Sequence, residues 1–135
     1  MYRNPNRAVE LAKRAVELTP QDGNVWNTLG VAYYRSGNFK NALETLNKSM
    51  ELQKGGTAID FFFLAMAHCK TDNEEEARRW YDQAIAWMEK NRAALDRSPS
   101  QAEEMGRFRS EAKEVLGIEE KKESGVKVQG SEKKQ

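Results

Sequence analysis

The sequence contains one cysteine and one histidine, the neighbours Cys69 and His68. A lone cysteine cannot form an internal disulfide, so a disulfide scaffold is excluded, and a reducing, cytoplasmic setting is the simpler reading. A metal site would need further ligands converging on this pair, and none is spaced to do so. Adjacent helical residues point about 100° apart, which removes a Cys–His nucleophile–base pair. His68 instead falls on an apolar stripe, as a core residue would. No glycine-rich phosphate loop is present, since Gly55-Gly56 lacks the accompanying pattern. No cofactor and no enzymatic activity are therefore expected.

Charge of one sign is also missing. The formal net charge is +1, and a nucleic-acid binder carries a basic excess on one face. The longest apolar run, near Phe61–Ala67, is too short to cross a membrane. The first twenty residues are charged throughout, which is unlike a secretory signal. Proline is scarce, at three residues, and charged residues make up 32%. The abundance of Leu, Ala, Glu, Lys and Arg points to helix. A chain of 135 residues favours one domain with a modest core.

A repeat organises what is there. Trp26-Asn27-Thr28-Leu29-Gly30-Val31-Ala32-Tyr33 fits the spacing W-x2-L-G-x2-Y, followed by the turn Ser36-Gly37-Asn38 and a helical pattern with Ala42, Leu46 and Ser49. On a helix, Trp26, Leu29, Gly30 and Tyr33 share one stripe. Gly30 costs about 1 kcal/mol of helix propensity, which points to close packing of a neighbouring helix. The skeleton returns 35 residues later as Phe61, Leu64, Ala65, His68, Ala77, Tyr81 and Ala84. The additional residue falls in the Gly55-Gly56 turn. Upstream, Ala8, Ala12 and Ala15 precede Ala42, Leu46 and Ser49 by 34 residues, and Pro20 closes that unit.

This pattern resembles the tetratricopeptide repeat (TPR) family. The resemblance covers roughly residues 4–91. It departs from the family at Lys54 and Glu89, which replace a closing proline, at His68, which replaces an aromatic, and at Asp72, which replaces the turn glycine. The expected fold is all-α: a right-handed array of antiparallel α-hairpins, a TPR-like α-solenoid with a C-terminal capping helix. The domain is expected over 1–117, with a half repeat at 4–22, full repeats at 23–56 and 57–91 and a capping helix at 99–117. Ser98-Pro99 marks the start of that last helix and Gly117 its stop. It carries Met105, Phe108, Ala112, Val115 and Leu116 as an apolar stripe, expected to form a seam with Trp80 and Trp87. Residues 118–135 read as a disordered charged tail. The phrase Ala84–Asn91 looks like C-terminal TPR segments of large bacterial multidomain proteins, some with serine/threonine kinase domains.

The resemblance implies a protein-binding role, with ligands lying on the concave side lined by the first helix of each repeat. The groove residues it assigns are Asn27, Val31, Tyr34, Phe62, Met66 and Cys69, with Asn24, Arg35, Ile59 and Lys70 on the rim. Such a groove suits an extended or helical peptide held by Phe62, Met66 and Tyr34. The chaperone-type carboxylate clamp of some TPR domains does not fit, because Val31, Phe62 and Met66 stand where it needs polar groups. Phe61-Phe62-Phe63 span about 200° of a helix, so they cannot share one packing stripe. At least one must meet a partner, a neighbouring repeat or a second copy. A structural spacer or homodimerisation element is the alternative. Weak self-association is expected through an open N-terminal edge around Leu11 and Val16.

Overall fold

The computed structural model describes residues 5–118. The start of the expected half repeat at residue 4 and the charged tail beyond Ile118 lie outside them. Seven helices are present among the described residues: α1 (Pro5–Leu18), α2 (Gly23–Arg35), α3 (Phe39–Leu52), α4 (Ala58–Lys70), α5 (Glu74–Lys90), α6 (Arg92–Asp96) and α7 (Pro99–Leu116). No strand occurs among them. α2–α3 and α4–α5 are the most extensively packed pairs, and their short connections make each an antiparallel hairpin. α1 packs on α2, and α3 joins the two hairpins by packing on α4.

Local chemistry sets the helix ends. Asp22 caps α2 by accepting the Asn24 backbone N–H at 2.9 Å. The Trp26 indole N–H donates to the Pro20 carbonyl at 2.8 Å, tying α2 to the turn after α1. The α3–α4 turn runs through three left-handed residues, Lys54, Gly55 and Gly56. The α4–α5 turn places Asp72 at φ 62°, in the conformation that Gly37 takes between α2 and α3. Asn73 does not close a capping box with Glu76; its amide lies 3.4 Å from His68 Nδ1. Residues 92–97, between the second full repeat and the capping helix, contain the one-turn helix α6.

The core is centred on α4. Residues 60–67 are all buried, because α4 has neighbours on three sides: α3, α5 and α7. The hairpin stripe behaves as the repeat demands. A Cβ added to Gly30 would stand 2.6 Å from the Leu46 Cγ atom, closer than packed carbons approach. Asp60 is fully buried where α2, α3 and α4 meet. Its carboxylate accepts from Asn27 Nδ2 at 2.7 Å, Ser49 Oγ at 3.0 Å, Gln53 Nε2 at 3.4 Å and the Thr57 N–H at 3.0 Å. These bonds satisfy a charge that burial would otherwise penalise heavily.

Candidate protein-binding face on the first helices

α2 and α4 are the first helices of the two hairpins, and the expected groove residues divide between them. On α2, Asn24 and Arg35 are exposed, Asn27 and Val31 are half-buried, and Tyr34 is buried at 7% exposure. On α4, Ile59 and Cys69 are half-buried and Lys70 is exposed. Phe62 and Met66, expected as the open centre of the groove, are both 0% exposed. They belong to the core. The Phe62 ring meets Tyr81 of α5 edge-on, with centroids 5.9 Å apart.

Two neighbours bury this part of α4: α5, which Phe62 meets, and α7. A helix that merely extended the stack would cover both α4 and α5. α7 instead packs mainly along α4 and much less on α5. Phe108 meets Phe63 edge-on at 5.1 Å. Further along, the Cys69 thiol donates to the Val115 carbonyl at 3.5 Å. Phe62 and Met66 lie in the core cluster that these contacts border. Met105 and Ala112, on the same face of α7, are buried in the same cluster. The aromatic seam therefore differs from the expected one. Phe108 pairs with Phe63, while Trp80 stacks on Phe61 at 5.5 Å. The three consecutive phenylalanines point to α5 and α7, as their angular spread requires.

α7 also reaches the first repeat. Glu111 forms a two-pronged ion pair with Arg35, whose Nη2 donates to Oε1 at 3.0 Å and whose Nη1 contacts Oε2. The Arg35 guanidinium lies over the Phe63 ring, 5.2 Å from its centroid, and beside the Tyr34 ring at 5.8 Å. The carboxylate holds the Arg35 proton more firmly than usual, by hydrogen bond first and by charge as well. Burial pushes the Tyr34 hydroxyl up to about 12, helped by Glu111 and opposed by Arg35. Tyr34 therefore serves as a neutral aromatic wall. Its ring touches Phe39 at 5.4 Å and Phe63 at 5.7 Å.

Two further groups change meaning in three dimensions. Asn27, expected to line the groove, has an amide N–H committed to Asp60. Burial raises the Cys69 thiol above its ordinary pKa, the opposite of what a nucleophilic thiolate requires. Sequence reasoning placed Phe108 on an apolar stripe but missed its partner Phe63, and the partners of Asp60 were not foreseen. It singled out Phe63 only within the Phe61-Phe62-Phe63 run and did not name Glu111. The available signal was Glu111 beside the α7 stripe, one helical turn after Phe108.

Two models of the tetratricopeptide repeat match this chain, one over residues 2–60 and the other over residues 63–90. Superkiller protein 3 of Schizosaccharomyces pombe is 30% identical over 64 residues. That stretch is 47% of this chain and only 5% of the yeast protein. Together with the hairpins and the tight Gly30–Leu46 approach, these matches place the chain in the tetratricopeptide-repeat family.

Proposed function

We propose that this chain holds a segment of another protein against the face formed by α2 and α4. Tetratricopeptide repeats generally mediate protein–protein contacts. One observation supports this particular face: α7, which belongs to neither hairpin, lies along it through both apolar and ionic contacts. A surface that seats one amphipathic helix offers the chemistry to seat a segment from another chain. Val31, Arg35, Ile59 and Lys70 supply its accessible apolar and cationic groups. Two repeats offer a short surface, so a dissociation constant of about a micromolar is expected.

Selection of displayed helical peptides on the full chain tests the proposal. Selected peptides should lose binding to Val31→Lys and Arg35→Glu variants that melt like the parent. Peptides indifferent to both changes would place the binding surface elsewhere.

A second reading, homodimerisation, draws on α1. Leu11 and Leu18 are 56% and 79% exposed on that helix, and exposed apolar groups on one helix favour association. Val16 is half-buried rather than open.

A further inference from the structure

We infer that α7 is an exchangeable occupant of the α4 face, and that the partner is an amphipathic helix of α7-like chemistry that takes its place. The inference rests on the protein-binding reading above and specifies its ligand. The contacts define what fits. Met105, Phe108, Ala112 and Val115 supply an apolar seam at helical spacing, and Glu111 answers Arg35. A competing helix needs a large residue opposite Phe63, a small one where Ala112 is fully buried, and an acidic group one turn after the large residue.

Three features make exchange the natural motion. First, α7 makes few contacts outside α4. It touches α5 and α6 only lightly, and its tie to α2 is the half-exposed Arg35–Glu111 pair. Second, α7 is weakened internally. Gly106 interrupts it without any neighbour that would need a glycine, since a Cβ there would meet nothing within 4 Å. A mid-helix glycine lowers helix stability, and no packing gain offsets it here. Third, Arg97 and Ser98 alone connect α7 to α6, so a displaced α7 would turn about that point and stay tethered beside the face as a competitor. An empty face would uncover Phe63, now fully buried against Phe108, which strongly disfavours simple opening. Replacement by a second helix avoids that exposure.

The test uses the full chain and a fluorescein-labelled peptide of residues 99–118. Anisotropy titrations compare the parent with a Phe108→Ala/Glu111→Arg variant, whose own α7 is weakened. An attached helix competes at an effective concentration on the order of millimolar, so the peptide should bind the variant about ten-fold tighter or more. Arg35→Glu in that variant should weaken binding, and a peptide carrying Glu111→Arg should restore it. Equal affinity for parent and variant, or indifference to the charge exchange, overturns the inference.

If the double variant does not fold, hydrogen exchange on the parent decides. The α7 amides should exchange through an opening that leaves α4 protected. Exchange of both helices only in global unfolding overturns the inference. The two readings also fail separately. A selected peptide that binds at Val31 and Arg35 while α7 stays protected leaves protein binding intact and removes the exchange. Exchange of the α7 peptide without any selected foreign peptide supports the exchange and removes the protein-binding reading.

Discussion

Asp60 is a carboxylate with no solvent exposure, and four donors from α2, α3 and the α4 cap converge on it. Asp60→Ala would leave those donors short of an acceptor in a buried setting. It is expected to cost about 3 kcal/mol, read as a lower urea midpoint; a loss near zero would mean that water replaces the carboxylate. Phe62→Ala is expected to cost about 3–5 kcal/mol, as other buried aromatic truncations do. Retention of the parent melting curve would contradict the burial of Phe62. His68 responds to pH. Burial holds its imidazole below the usual 6.5, with the Glu76 carboxylate opposing more weakly. The unfolded chain therefore binds the proton more readily. The stabilising contribution is complete above about pH 6.5 and is lost as pH falls through and below that value. His68→Tyr, which restores the family aromatic, should flatten the melting temperature between about pH 7 and pH 5 relative to the parent. Parallel slopes for both proteins would remove His68 as the cause.

Among the elements, the α2–α3 hairpin was the most legible in sequence. Its Trp26–Tyr33 stripe, Gly37 turn and Ala42–Ser49 stripe each appear where the spacing predicts. The reason is physical: hairpin packing is local, and a glycine pressed against Leu46 leaves a mark that periodicity can find. The second hairpin was legible by register alone, because Ala65 and His68 replace the more specific residues. The route of α7 was not legible. An apolar stripe says that a helix will be covered, not by which neighbour, and Phe62 and Met66 therefore passed for groove residues. The α4–α5 turn offers a test at this scale. Asp72 holds a left-handed φ that glycine adopts freely. Asp72→Gly should raise stability by about 0.5–1 kcal/mol, measured by thermal melting. A decrease would show that the Asp72 side chain makes a compensating contact.

For the whole molecule, the two ends of the array differ in how they are covered. The α4 face is closed by α7, while α1 leaves Leu11 and Leu18 uncovered. Weak association through α1 should appear as a rise in sedimentation-average mass with concentration. Leu11→Glu together with Leu18→Glu should abolish it. A parent that stays monomeric at millimolar concentration would remove homodimerisation as a reading. No described helix is long and apolar enough to cross a membrane, and the groups with chemical potential, Cys69 and Tyr34, are pushed by burial toward their neutral forms. The functional proposal rests on the face of α2 and α4, where α7 is seated. The most direct measurement is an amide chemical-shift map of the isotope-labelled full chain with the tightest selected peptide. The account predicts shifts clustered on Val31, Arg35, Ile59, Phe63, Cys69 and the length of α7. Shifts confined to α1, or to the outer surfaces of α3 and α5, would contradict it.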